Sequence, residues 1–317
     1  MRSQSAMEYL MTYGWSILIV AVVLGALAYL GVFNLLYFAP KANPGSCQVF
    51  RPNGAGTSYD INLLGVCDNE IPRYVANFNS VTTYSPGCST YGASSSSCII
   101  SNSVLFGSDI PFTVTAWVNV EYFTSGISWT VPFLGFANYQ GFGFIDTAPS
   151  QDVALVIHRC SSADTCSNGG CGTGSAVIND GITASTQSIM GKWTFVAYSV
   201  NQPNYYFQVN DQSANVTNPN GYGNSAMTMI GGQFQSCDGN PFEGQIANVQ
   251  IYNASLDSKS ISAIYQEGIG GAPIDLHNLV GWWPLNGNAN DYSGNGNDGL
   301  ATNVLYTDSW ITGYTPQ

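Results

Sequence analysis

The stretch Phe112–Val118, with the sequence FTVTAWV, decides the fold because apolar and small polar residues alternate along it. The same alternation recurs at Trp193–Tyr198 (WTFVAY), Tyr205–Val209 (YYFQV) and Ile246–Ile251 (IANVQI). A period of two residues is typical of a strand with one face against a core. Many short strands, separated by turn residues and with few helices, predict a β-sandwich or jelly roll.

One helix is expected within this β-rich region. Leu256–Gln266 places Leu256, Ile261 and Ile264 on one side, and Gly268 follows as a residue that ends helices. We therefore predict a helix of one or two turns that packs one apolar side against the sandwich.

The composition excludes one class of function. Of 317 residues only 8% are charged while 45% are hydrophobic, so Asn, Ser, Thr, Gly and Tyr provide most of the polar surface. This balance is typical of extracellular β-proteins. Seven Lys and Arg residues and a net charge of −12 argue against nucleic-acid binding, which requires cationic contacts to phosphates.

The first forty residues contain an apolar segment. No charge occurs between Glu8 and Lys41, and Gly14–Phe38 is long enough to span ~30 Å of hydrocarbon as a helix. The segment is too long for a secretory signal core, and Pro40 ends it. Arg2 predicts that the amino end lies inside and the bulk of the chain outside.

Glu8 leaves two interpretations of this segment open. It can lie at the membrane surface on an uncleaved anchor. Alternatively, removal of Met1–Ser3 would create an amino group on Gln4, one helical turn from Glu8. In a stack of staggered helices, that amine could pair with Glu8 of a neighbouring copy, which is far less costly than burying either charge alone.

The residues Arg2–Leu10 (RSQSAMEYL), followed by Thr12–Trp15 (TYGW), resemble the class III signal segment of archaeal type IV pilin-like proteins. The resemblance implies that a membrane prepilin peptidase cleaves between Ser3 and Gln4. It also implies that Gln4 and Glu8 guide assembly into a filament of identical subunits. The implied partners are other copies of the chain, the peptidase, the pilus assembly machinery and the membrane. The protein would be membrane-inserted before assembly and extracellular afterwards.

Residues 41–102 are predicted to form a small disulfide-braced β connector, with short strands at Tyr59–Leu64 and Tyr74–Phe78. So short a span buries little apolar surface, and packing against the next domain is therefore an alternative to independent folding.

The chain has an even number of cysteines, all after the apolar segment: Cys47, Cys67, Cys88, Cys98, Cys160, Cys166, Cys171 and Cys237. Their spacing favours disulfides over a zinc site. Cys47–Cys67 and Cys88–Cys98 are the preferred pairs because each closes a short loop, although the sequence does not fix the connectivity.

Residues 103–317 resemble the laminin G-like, concanavalin A-like jelly roll. The resemblance rests on Phe112–Val118, Gly191–Ala197, Phe242–Asn253, Leu256–Gly268 and Leu279–Asn297. The last of these runs normally opens such a domain, and here it stands near the end. The resemblance therefore implies a circular permutation, which nearby domain termini permit.

Asn286–Asp298 is rich in oxygen donors and glycines, a composition that suits a hard cation such as calcium. Asn288 and Asp291 are the candidate ligands, the latter because relatives often hold calcium with a carboxylate here. Ala247-Asn248 departs from the acidic pair common in related strands, which removes a ligand. The alternative is an Asn/Gly-rich turn that satisfies its own backbone. No cofactor other than calcium is indicated.

Sugar binding is the second candidate chemistry, because exposed Tyr or Trp rings can stack on a pyranose. With 19 tyrosines, the sequence singles out no particular ring. Asn215-Val216-Thr217 and Asn253-Ala254-Ser255 are glycosylation acceptor patterns, which makes Asn215 and Asn253 candidate modification sites.

No catalytic constellation is present, since the sequence lacks the closely spaced carboxylates of a glycoside hydrolase on this fold. The predicted protein is mainly β and not an enzyme. It has a leader at 1–3, a long hydrophobic helix at 4–40, the connector at 41–102 and a permuted jelly roll at 103–317. We predict a pilus-like filament subunit that displays a lectin-like domain for surface or glycan adhesion. The alternative is a membrane-anchored surface lectin that does not polymerise.

Overall fold

The computed structural model of the chain describes part of its residues. These are 13, 16–25, 47–50, 59–62, 71–79, 97–101, 111–121, 130–136, 140–146, 152–159, 176–178, 183–185, 189–217, 228–232 and 242–314.

The first of two large sheets, sheet I, has the strand order β13-β12-β11-β5-β15-β3-β18, and β16 also pairs with β15. Its strands are β3 (Val75–Phe78), β5 (Phe112–Val120), β11 (Trp193–Asn201), β12 (Asn204–Val209), β13 (Gln212–Thr217), β15 (Gly244–Tyr252), β16 (Leu279–Trp283) and β18 (Leu305–Thr307). All pairings within it are antiparallel. The four strands predicted from alternation all lie here.

The second sheet, sheet II, has the order β10-β8-β7-β6-β14-β4-β17, with β9 beside β8. Its strands are β4 (Cys98–Ser101), β6 (Thr130–Phe136), β7 (Gln140–Asp146), β8 (Asp152–Arg159), β9 (Ala176–Ile178), β10 (Thr183–Ser185), β14 (Thr228–Ile230) and β17 (Leu300–Thr302). β1 (Cys47–Phe50) and β2 (Tyr59–Asn62) form a separate antiparallel pair.

The main core lies between the two sheets and is rich in aromatic rings. Tyr198 of sheet I meets Phe142 of sheet II at 5.6 Å between ring centroids. Phe112, at the start of β5, packs edge-on against Tyr198, also at 5.6 Å. Side chains that alternate along the strands thus fill one interior, as a β-sandwich requires.

Sheet I is also covered on its outer face, so β5 and β15 are buried along their whole lengths. The helix Ser258–Gln266 lies there and buries Ile261 and Ile264. Asp257 caps the helix by accepting a hydrogen bond from the backbone N–H of Ser260 at 2.8 Å, and this bond lowers the pKa of the Asp257 carboxyl. The predicted helix is confirmed, with its start two residues later than Leu256.

The C-terminal segment 310–314 forms the rest of this cover. Trp310 is 3% exposed and meets Trp193 edge-on at 5.7 Å. The indole Nε1 of Trp193 donates to the Trp310 carbonyl at 2.9 Å, and the Trp193 backbone N–H donates to the Gly313 carbonyl at 3.0 Å. Segment 310–314 is therefore part of the folded domain.

Strands from the predicted connector belong to the sandwich. β3 pairs with β15 and β18 in sheet I, and β4 pairs with β14 and β17 in sheet II. Both strands precede residue 103, where the jelly roll was predicted to begin, and the domain boundary itself stays a prediction. Each has only four residues and obtains its backbone hydrogen bonds from strands far along the chain.

The run that follows Leu279 also enters both sheets, through β16, β17 and β18. This placement is what the predicted permutation requires of the C-terminal strands. The permutation itself stays a prediction, because it concerns strand order in relatives.

Residues 16–25 are helical, and the rest of the predicted 4–40 helix, except Tyr13, lies outside the described residues. Within the described part of the chain, no helix combines the length and apolarity needed to cross a membrane.

Tyr306 on β18 is expected to make the stability of the sandwich fall at alkaline pH. In the part of the chain that the structure describes, its hydroxyl is buried without a hydrogen-bond partner, and burial raises the pKa of Tyr306 to about 12. The unfolded chain loses this proton near pH 10, so stability should fall between pH 10 and 12. We expect chemical denaturation to show a smaller loss across this window in Tyr306→Phe. An equal loss in both proteins would contradict the assignment.

Candidate functional site

The loop that follows β16 is organised around the carboxylate of Asp291. Its Oδ1 accepts hydrogen bonds from the backbone N–H groups of Trp282 (2.9 Å) and Ser293 (2.8 Å). Its Oδ2 accepts from the Ser293 hydroxyl (2.7 Å) and the Asn297 N–H (2.9 Å). A carboxylate offers about four acceptor positions, and all of them are occupied by donors of the loop and of β16.

Amides anchor the far part of this loop to β16. The Nδ2 of Asn295 donates to the Leu279 carbonyl at 2.8 Å, and the Nδ2 of Asn297 donates to the Val280 carbonyl at 2.6 Å. Gly294 and Gly296 have φ angles of 87° and 74°, where a side chain would be strained. The Asn/Gly composition therefore encodes a fixed loop.

The predicted calcium ligands do not fit a cation site. Ligation by Asp291 would require breaking hydrogen bonds within its loop. The Oδ1 of Asn288 is engaged too, because it accepts from the Asn290 N–H at 3.0 Å. The described residues contain no group of three His, Cys, Asp or Glu side chains able to hold a metal. The turn that satisfies its own backbone is the better interpretation.

Asn248, in the Ala247-Asn248 pair of β15, also has a structural role. It lies at a bulge in β15 with φ 49° and is buried. Its Nδ2 donates to the Gly271 carbonyl at 2.9 Å, and its Oδ1 accepts from Trp282 Nε1 at 2.7 Å. An amide can donate and accept at once, and an ionised carboxylate could not replace it here.

Tyr292 is the exposed feature that the loop presents. Apart from Tyr13, it is the only exposed aromatic side chain among the described residues, at 38%. Its backbone N–H donates to the Trp282 carbonyl at 2.7 Å, and its ring packs edge-on against Trp282 at 6.1 Å. Its hydroxyl accepts from the Nδ2 of Asn288 at 3.2 Å. The ring is thus both accessible and held in place.

Arg73 and Tyr74 lie beside this loop, and the sequence did not indicate either of them as a site residue. The Tyr74 N–H donates to the Oδ1 of Asn286 at 2.8 Å. The Arg73 guanidinium lies over the Tyr74 ring, 5.1 Å from its centroid. Gly287 lies close to the Tyr74 ring, because a Cβ added to this glycine would be 3.3 Å from the ring atom Cδ2. The contacts of Tyr74 with Asn286 and Gly287 span more than two hundred residues of sequence, which is why no local motif indicated them.

Comparisons with known proteins agree with this architecture. The family described as the concanavalin A-like lectin/glucanases superfamily matches residues 92–262. The chain belongs to this superfamily. The laminin G-like resemblance is confirmed, and the match begins before residue 103, as β4 does. A search of curated proteins found no match.

Several solved structures resemble this chain at low sequence identity. One is a candidate carbohydrate-binding protein from Bacteroides ovatus, 14% identical, with 79% of this chain and 66% of that chain covered and a TM-score of 0.46. A heptameric SAP-like pentraxin from Limulus polyphemus is 10% identical over 74% and 94%, with a TM-score of 0.47. Domain 4 of the arabinanase AbnA from Geobacillus stearothermophilus, in complex with arabinotriose, is 18% identical over 60% and 85%, with a TM-score of 0.37.

The remaining predicted site residues are scattered over the described structure or lie outside it. Asn215 is exposed on β13, and Asn253 is exposed just after β15. Cys98 is disulfide-bonded, and the pairing Cys88–Cys98 stays a prediction. Cys47 lies in β1, and its side chain is not described. The others lie outside the described residues: Ser3, Gln4, Glu8, Cys67, Cys88, Cys160, Cys166, Cys171 and Cys237.

Proposed function

We propose that this sandwich binds carbohydrate without catalysing a reaction, and that Tyr292 stacks on a sugar ring. The observation that carries the proposal is the exposed ring of Tyr292 on a loop fixed by Asp291. Aromatic rings offer apolar area at small entropic cost, and a fixed ring loses little freedom on binding. Membership of the superfamily supports the same class of ligand.

The amides beside Tyr292 supply the polar half of such a site. Asn290 is exposed, and Asn288 is held by its own hydrogen bonds to the loop. Amides donate and accept hydrogen bonds, as sugar hydroxyls do. A shallow site of this kind would bind the end or the exposed face of a glycan at a cell surface.

Replacing Tyr292 tests this assignment. We expect Tyr292→Ala to weaken glycan binding about tenfold, since aromatic contacts contribute ~0.5–1.5 kcal/mol beyond the area they bury. Isothermal titration calorimetry of the full chain with its best glycan would measure the change. Leu300→Ala is the matched control, because Leu300 is a 70% exposed apolar residue on β17. Equal losses in both variants, or none in Tyr292→Ala, would contradict the role of Tyr292.

We further propose that the N-terminal segment displays this domain at the cell surface, with the amino end inside and the sandwich outside. Helical residues 16–25 expose apolar side chains on every side: Ile17, Leu18, Ile19, Val20, Val22, Val23 and Leu24. A helix that is apolar all round is normally covered by lipid or by other helices. A membrane-anchored surface lectin is the simpler proposal that accounts for both parts of the chain.

Assembly into a pilus-like filament is a second candidate, which the Gln4 to Glu8 motif favours. Processing between Ser3 and Gln4 would create the amine that pairs with Glu8 of the next subunit. Mass spectrometry of the amino terminus of the native protein separates the two candidates. A chain that starts at Gln4 supports filament assembly, and an intact Met1 supports the permanent anchor.

A further inference from the structure

Strands β12 and β13 carry a row of neutral polar side chains on the outer face of sheet I. Direct pairing places Asn204 opposite Thr217, Tyr206 opposite Asn215, and Gln208 opposite Ser213. We call these six residues the β12–β13 ladder. Opposed residues of an antiparallel pair lie on the same face, so the six side chains form one surface two strands wide.

The intervening residues fix which face this is. Phe207 belongs to the core between the sheets, and Ala214 and Val216 pack against that core. Asn204, Asn215 and Thr217 are exposed, and Tyr206 is half-buried at the edge of the outer layer. The ladder is therefore the solvent face of the sheet beside the part that the helix Ser258–Gln266 covers.

Hydrogen bonds hold part of the ladder in place. The Tyr206 hydroxyl donates to the Oε1 of Gln208 at 2.9 Å, and the Nε2 of Gln208 donates to the Asn210 carbonyl at 2.7 Å. Gln208 is buried, so it fixes the Tyr206 hydroxyl from below. The Thr217 hydroxyl donates to the Oδ1 of Asn204 at 3.3 Å. Side chains positioned in advance lose less entropy on binding.

The absence of ionisable carboxylates and cations from these six residues indicates the charge of the ligand. The whole chain carries a net charge of −12, which repels polyanions and also a second copy of the chain. Amides and hydroxyls match the donor and acceptor pattern of sugar hydroxyls, and Tyr206 adds partly exposed aromatic surface. Among macromolecular ligands, a neutral glycan matches this surface best.

We propose that the β12–β13 ladder is a second contact surface for neutral oligosaccharide. The inference rests on the proposed carbohydrate binding and extends it. Strands β11, β5 and β15 lie between the ladder and β16, the strand that leads to the Tyr292 loop. The two surfaces could therefore contact separate segments of one polysaccharide or two different chains.

The test uses the full chain produced in a host without N-glycosylation, since a glycan on Asn215 would cover the ladder. Affinity electrophoresis in gels with a neutral β-glucan or galactomannan, and with polygalacturonate as the acidic comparator, would compare the wild type with Asn204→Ala/Asn215→Ala. We expect about five- to tenfold weaker binding to the neutral polymer for the double variant, and no retardation by polygalacturonate. The matched control is Gln212→Ala, because Gln212 is an exposed amide on β13 that alternation places on the other face.

Tyr292→Ala run in parallel keeps the two proposals distinguishable. If Tyr292→Ala weakens binding and the double variant does not, the ladder inference is overturned and the proposed function stands. If both variants bind as strongly as the wild type, or if the wild type binds no glycan, the proposed function and the ladder inference both fail. Stronger binding to polygalacturonate, or loss of a dimer as the only effect of the double variant, would also overturn the ladder inference. Thermal unfolding confirms that each variant is folded.

Discussion

We expect Asp291→Ala to lower the free energy of unfolding by ~3 kcal/mol, and Asp291→Asn to lower it by about half as much. The alanine removes the acceptor for four hydrogen bonds and leaves part-buried donors on Trp282, Ser293 and Asn297 unpaired. The asparagine keeps one oxygen but places an NH2 group against the other two donors. Chemical denaturation measures both losses.

Asp298→Asn is the matched control, since the Asp298 Oδ1 accepts only the Asp291 N–H among the described contacts, at 2.8 Å, and the residue is exposed. We expect a change below ~0.5 kcal/mol for it. Calcium should not alter the melting temperature of the wild type, because the Asp291 carboxylate is already fully engaged. A calcium-dependent stabilisation that Asp291→Asn abolishes would contradict this assignment and restore the metal site.

Trp310→Ala should cost ~3–5 kcal/mol of unfolding free energy, as expected for a buried tryptophan. Trp310 fills the outer layer against Trp193 and Tyr314, and its Nε1 donates to the Arg73 carbonyl at 3.4 Å. The substitution leaves a cavity and loosens the C-terminal segment from β11.

Its neighbour offers the comparison, because Ile311 is exposed. We expect Ile311→Ala to change stability by less than ~0.5 kcal/mol. Unfolding monitored by tryptophan fluorescence would measure both. If Trp310→Ala were as stable as Ile311→Ala, the C-terminal segment would be dispensable to the sandwich.

The sandwich itself could be predicted because apolar and polar residues alternate along most of its central strands. Phe112–Val118 and Ile246–Ile251 lie in β5 and β15, and the helix ends at Gln266, two residues before Gly268. The membership of β3 and β4 could not be predicted in the same way. Four-residue strands have too few alternations to show a period, and their partners lie more than a hundred residues away.

The site was harder to predict because the same residue types occur in calcium-binding loops and in turns that satisfy their own backbone. Oxygen-rich Asn/Asp/Gly sequences suit calcium and also suit a self-bonded turn, and only the partners of Asp291 distinguish them. Tyr292 could not be chosen among 19 tyrosines from sequence, since exposure depends on which rings the sheets and the helix cover. Tyr74 meets the loop only because β3, which follows it, pairs with distant strands, and Arg73 lies over the Tyr74 ring.

Carbohydrate binding by the sandwich is the central claim, and a glycan array tests it most directly. The full chain, solubilised in detergent, would be applied with and without a chelator. We predict binding to at least one neutral glycan, unchanged by the chelator and reduced in Tyr292→Ala. Failure to bind any glycan, or binding that vanishes with the chelator, would contradict the account.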